Sequence, residues 1–332
     1  MVSRKVFCFV VIFFGLLVPC VGADIVPRDF LIEVSKGNVP GHSLVAIAGI
    51  DENVGTTEYV IWTEDGEFLF PASALLMNVS SGSVVDNPGG IGMFNVTVIG
   101  LDANYVVISE TITLDGQTPV PTTLAYFRVN RLRGGAAGSS EFNVGNIYIG
   151  TGSPTDGVPV VTYNVIDAEQ GDSTAATYTV PDGRSALLVQ LVFGTDSSKI
   201  IEYSLRSRCL DCGDNAWAVD YHSRFKEEHQ DYVLPLPFPY PEHTDIKFQA
   251  RNSVGSAFAE TQVFLLEITD AVLNNASLAW ADSGVVDSVP VTLDTSTGAI
   301  TVSDPENQTL LYVGLFIVIA LGLAAVASGR KW

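Results

Sequence analysis

Cys209 and Cys212 are the only cysteines after residue 23, and three of the four histidines, His222, His229 and His243, follow within 35 residues of them. Thiolates and imidazoles are the donors tetrahedral zinc prefers, so Cys209, Cys212, His222 and His229 make a candidate metal set. Their spacing does not fit: the paired histidines of a zinc finger stand three to five residues apart, and His222 and His229 stand further apart than that. In an oxidising compartment Cys209-Leu210-Asp211-Cys212 is expected to close as a local disulfide. No metal and no other cofactor is expected. A redox Cys-x-x-Cys would need a helix start in a βαβ setting, which this stretch lacks.

Other reactive constellations are missing. The chain has no Gly-x-Ser-x-Gly elbow, no His-Glu-x-x-His and no phosphate loop, so no enzyme is expected. Asp211, Asp214 and Asp220 lack the alternating pattern of a calcium loop and read as solvated acidic turns. Arg128, Arg131 and Arg133 share one strand and read as an exposed face, with carboxylate pairing at a subunit contact as the alternative. Sequons at Asn78, Asn95 and Asn275 are candidate glycosylation sites, and a fourth at Asn307 lies too near the expected membrane.

The elements that must position these residues are strands. In Met93 to Gly100, Phe94, Val96 and Val98 alternate with Asn95 and Thr97, as a half-buried strand requires. Thr111 to Leu114 runs into Asp115-Gly116, a pair suited to a hairpin turn. Further strands are expected at 44–48, 58–62, 106–109, 125–132, 146–149, 160–165, 176–180, 186–193, 200–205, 246–250 and 261–268, separated by Gly, Pro and Asn turns. That spacing predicts an all-β chain of tandem β-sandwich or jelly-roll-like domains. Pro119 and Pro121 suggest a division, giving domains at 24–118 and 119–268. From 269 to 309 the chain has no Lys or Arg and reads as an acidic Ser/Thr-rich stalk, with a hairpin at 289–293 and 299–302.

Both ends read as membrane signals. Arg4 and Lys5, an apolar run and small residues at Val21 and Ala23 predict a signal peptide over 1–23. Leu310 to Ser328 is 19 residues without a charge, enough for one transmembrane helix, and Arg330 and Lys331 leave a cytoplasmic tail at 329–332. The expected localisation is therefore a single-pass membrane protein with its β domains outside. The chain carries 37 acidic and 17 basic residues, a net charge of −20. Clustered positive charge is what nucleic acid requires, so a nucleic-acid partner is excluded.

A series of short motifs, in order, resembles the β-sandwich structural proteins of marine viruses and tailed phages. The carriers include Val39-Pro40-Gly41, Tyr59-Val60-Ile61-Trp62, Gly89-Gly90-Ile91-Gly92, Phe127-Arg128-Val129-Asn130-Arg131, Asn143-Val144-Gly145-Asn146-Ile147 and Tyr178-Thr179-Val180-Pro181-Asp182-Gly183. The resemblance implies a capsid- or tail-associated virion component with no catalytic residues, here with an added leader and membrane anchor. The expected partners are a membrane, other virion or cell-surface proteins and a second copy of the chain. Ala250 to Gly255 resembles the final-strand region of a fibronectin-type sandwich and supports a cellular adhesion protein as the alternative. An extracellular metal-dependent enzyme is a third reading and rests on the cysteine and histidine cluster.

Overall fold

The computed structural model describes residues 30–272, apart from 65, 197, 214–215 and 227, and two short strands at 291–294 and 299–302. The expected leader, membrane helix and tail, most of the stalk, and Asn275 lie outside the described residues. Among the described residues no helix is long and apolar enough to cross a membrane.

A six-residue helix, α1 (Phe30–Ser35), is followed in chain order by β1 (His42–Val54), β2 (Tyr59–Val60), β3 (Asn78–Ser81), β4 (Asn95–Leu101), β5 (Val107–Thr113), β6 (Val120–Pro121), β7 (Arg128–Gly134), β8 (Ile147–Thr151) and β9 (Val161–Ile166). Then come β10 (Thr177–Thr179), β11 (Arg184–Thr195), β12 (Ile201–Cys209), β13 (Ala218–Phe225), β14 (Glu228–Tyr240), β15 (Thr244–Asn252) and β16 (Ala257–Thr269). A last hairpin, β17 (Val291–Asp294) with β18 (Ala299–Val302), falls within the expected stalk. The chain is all-β.

Two sheets build an outer lobe: one in the order β1-β16-β11-β14, the other β10-β15-β12-β13 with β2 joined to β15. Alternation along β16 turns Ala257, Ala259, Val263 and Leu265 inward, where they meet Leu191, Phe193, Tyr203 and Phe248 in one core. Phe193, Tyr203 and Phe248 are fully buried, each stabilising the fold by about 1.5–3 kcal/mol relative to exposure. The ladder from His42 opposite Ile268 to Val54 opposite Ala257 makes the start of β1 and the end of β16 neighbours. Thr269 N–H donates to Gly41 O at 2.8 Å, so chain entry and exit lie side by side.

An inner lobe is inserted between β2 and β10. Its sheets, β6-β3-β8-β9 and β5-β4-β7, enclose Met77, Val79, Val96, Val98, Leu132, Ile147 and Ile149. A smaller cluster of Val60, Trp62, Phe68, Tyr148, Val165 and Ala175 seals the crossing between lobes. Buried Asp86 organises the inner lobe's loops, accepting from the N–H groups of Met93, Val144 and Gly145 at 2.8, 2.9 and 3.0 Å and from the Ser81 hydroxyl at 2.6 Å. Gly92 belongs to this arrangement, because a Cβ there would fall 1.9 Å from Asp86 Oδ1.

The lobes are nested rather than consecutive. Strand pairing crosses the expected division at 118/119, since β3 pairs β6 and β4 pairs β7. Pro121 belongs to β6, an edge strand, where a missing N–H costs no ladder bond. Asp115-Gly116 does form a turn, with Thr118 N–H on Asp115 O at 3.0 Å, but it joins β5 to β6 in different sheets instead of closing a hairpin. Pro235, Pro237 and Pro239 likewise sit in an edge strand, β14, and alternate along it.

Candidate functional site

The two lobes are fastened by an ion pair. In β7, Asn130 is an extra residue relative to β4, so Val129 and Leu132 both enter the inner core while Arg128 and Arg131 turn toward the outer lobe. Arg128 grips Asp245 of β15 with two bonds, Nε to Oδ1 at 2.8 Å and Nη2 to Oδ2 at 3.0 Å. Both side chains are shut away from solvent, at 4% and 0% exposure. Arg128 Nη1 donates to the carbonyls of Pro71 and Phe127, and its guanidinium lies 4.0 Å from the Phe127 ring centroid. Asp245 also accepts from Thr179 Oγ1 at 2.7 Å and Arg208 Nη2 at 2.6 Å. Beside it, the Asn130 amide donates to Thr179 O at 2.9 Å and accepts from Thr179 N–H at 3.0 Å. The exposed arginine face expected here is corrected: Arg128 is buried, Arg131 pairs with Asp172, and Arg133 alone is an exposed position.

Above this pair lies a histidine cluster. Cys209 and Cys212 are bonded to each other, closing a four-residue loop after β12 that points Asp211 at Nδ1 of His243. Nε2 of His243 stands 3.2 Å from Asp182 Oδ1. The imidazole stacks on Tyr105, from the β4–β5 turn of the inner lobe, with ring centroids 4.1 Å apart. Burial works against a charged ring, but the carboxylates of Asp211 and Asp182 outweigh it and raise the His243 pKa above its ordinary value.

The metal set considered from sequence does not assemble. Its two thiols are joined, His222 lies on β13 opposite Ser204, and His229 lies on β14 in the other sheet, 3.7 Å from Glu260. Among the described residues the one group able to offer converging metal ligands is Asp182, Glu242 and His243. Sequence spacing missed it because Asp182 and His243 come from separate turns. Asp220 sits in β13 and accepts from the Tyr240 hydroxyl at 3.0 Å; burial raises its pKa.

A cleft of about 420 Å³ runs between the lobes. One wall is the free edge of β1 from Leu44 to Ala48; the other carries Ile99, Leu101 and Val107. Ile50 N–H points away from β16, to Thr174 O, so by strand alternation the N–H groups of Leu44, Ala46 and Ala48 also face the cleft, without a backbone partner among the described residues. The carboxylates lining the cleft are taken. Asp172 is held by Arg131, and Glu267 by Arg184 Nη1 at 2.9 Å and by the Tyr178 hydroxyl. Burial, reinforced by Glu267, lifts the Tyr178 pKa well above its ordinary value. This arrangement suits recognition of an extended main chain better than proton transfer.

Of the sequons, Asn78 opens β3, with its Ser80 hydroxyl buried against Gly157 O at 2.7 Å. Asn95 opens β4 half-buried, its side-chain oxygen accepting from Ala136 N–H at 3.3 Å. Residues 250–255 are the end of β15 and the start of its connection to β16, in the outer lobe.

No protein-family profile matches the chain, and no curated relative matches it. Among solved structures, infectious bursal disease virus Gt strain is similar at 10% identity over 73% of this chain and 78% of that one, with a TM-score of 0.21. The Gx strain of the same virus gives 10% identity over 69% and 71%, also at 0.21. At these scores the superpositions define no common fold.

Proposed function

We propose that the chain is a non-catalytic structural or surface protein of a virus particle, held by a membrane helix at 310–328, with two nested jelly-roll-like β-sandwich lobes displayed outside for adhesion and assembly. The observation that carries this reading is the free edge of β1 opening into the interlobe cleft. An unpaired strand edge binds another chain through main-chain hydrogen bonds and needs no reactive group. Two further features support it. The carboxylates of the cleft are already engaged by guanidinium groups, which occupy the oxygens that a substrate would have to reach. Entry and exit of the body lie side by side, as suits a head carried on a stalk.

The test is to purify particles from the producing host, identify their proteins by mass spectrometry, and treat intact particles with protease. The chain should be found in the particles and residues 30–272 should be lost on digestion. Particles lacking it, or a body that resists digestion while control surface proteins are removed, would end the proposal.

A further inference from the structure

The turns beside the lobe junction bring one imidazole and three carboxylates together. Glu242 and His243 lie between β14 and β15, Asp182 lies in the Pro181-Asp182-Gly183 turn, and Asp211 lies in the disulfide loop. One donor atom each from Asp182, Glu242 and His243 falls within 4.8 Å of the others. A tetrahedral zinc ion with bonds of about 2.0–2.1 Å sets its ligand atoms roughly 3.3 Å apart. His243 Nε2 and Asp182 Oδ1 already stand at 3.2 Å. Glu242 is held nearby, accepting from Gly183 N–H at 2.8 Å.

Two independent features point to a cation at this place. The first is the orientation of the ring. Imidazoles that bind metals through one nitrogen nearly always give the other N–H to a carboxylate, and Asp211 fills that role at Nδ1, leaving Nε2 directed at Asp182 and Glu242. The second is charge. Three carboxylates surround a single imidazole, and among the described residues none of the three pairs with a lysine or arginine; the arginines of the seam, Arg128 and Arg208, are both taken by Asp245. Even with His243 protonated the cluster holds an uncompensated charge of about −2, which a divalent ion would balance.

We propose that Asp182, Glu242 and His243 bind a divalent transition-metal cation of the zinc class, with Asp211 orienting His243. The nitrogen donor selects against calcium and magnesium, which take oxygen ligands. Since His243 stacks on Tyr105 and Asp182 N–H donates to Tyr105 O at 3.0 Å, the ion would tie turns of the outer lobe to the β4–β5 turn of the inner lobe. The role is structural, fastening the two lobes.

The experiment is zinc chloride titration of the full-length protein in detergent, followed by calorimetry and by elemental analysis after dialysis, with calcium and magnesium chloride in parallel. Wild type should bind one zinc that Asp182→Asn, Glu242→Gln and His243→Gln each weaken at least tenfold. Asp211→Asn should weaken it about tenfold, as loss of an orienting carboxylate does. Zinc should raise the melting temperature of wild type and not of Glu242→Gln, whose folding is checked by circular dichroism. The assignment is overturned if wild type binds no zinc, if Asp182→Asn and Glu242→Gln bind it as tightly as wild type, or if calcium binds better than zinc.

Discussion

Arg128 and Asp245, 117 residues apart in the chain, meet in a two-pronged ion pair sealed between the lobes. A charge pair so completely dehydrated is weak as a source of net stability and severe as a constraint, because Arg128 without Asp245 is a buried charge with no counter-ion, although Asp245 without Arg128 keeps Arg208. It therefore fixes how the lobes sit against each other.

Asp245→Ala should destabilise the protein by about 3–5 kcal/mol, measured by urea unfolding at neutral pH. Arg128→Met combined with Asp245→Leu should recover only part of that loss. Arg208 still points at the vacated position, so the double variant keeps one unpaired guanidinium.

Asn130→Ala removes both bonds of its amide to Thr179 and should cost about 1–3 kcal/mol by leaving strand groups unmet. Hydrogen exchange at the Thr179 amide should accelerate, while exchange within β16 stays slow.

Asp86→Ala strips the acceptor from three backbone N–H groups and one hydroxyl inside the inner lobe. Several kilocalories should be lost, about 1–3 kcal/mol for each donor left unmet before relaxation. Hydrogen exchange should show the loss in residues 78–166, with residues 184–269 protected as in wild type; uniform loss over both regions would show that the lobes unfold as one unit.

Replacing Cys209 and Cys212 together by serine opens a small loop and should cost about 2 kcal/mol by the chain-entropy relation. Adding reductant should lower the unfolding free energy of wild type by a similar amount, and that of the double variant should not respond.

Much of the strand content was legible because alternation is a local property. Phe94, Val96 and Val98 mark β4 whatever surrounds it, and Cys209 and Cys212 are too close in sequence for their pairing to need a fold. Other strands escaped for physical reasons. The three prolines of β14 suppress a strand reading and are tolerated because one side of that strand has no strand partner among the described residues, a fact set by sheet order. Pro119 and Pro121 imitate a linker for the same reason. The lobe junction was illegible: Arg128 reads as one of three surface arginines until β15 supplies Asp245, and His243 reads as one of three histidines downstream of the cysteine pair until two turns bring Asp182 and Asp211 to it.

The neighbouring positions of Gly41 and Thr269 govern how the body meets mechanical load. Tension applied between the two ends of the chain would open the β1–β16 ladder one rung at a time, beginning at His42 and Ile268. A pull on the C-terminal end against a grip on the inner lobe would instead run along β16, loading its rungs to β1 and β11 together. A head tethered by its C-terminal end and held elsewhere by a partner is thus strained in its stronger direction, and single-molecule pulling along the two axes would measure the difference.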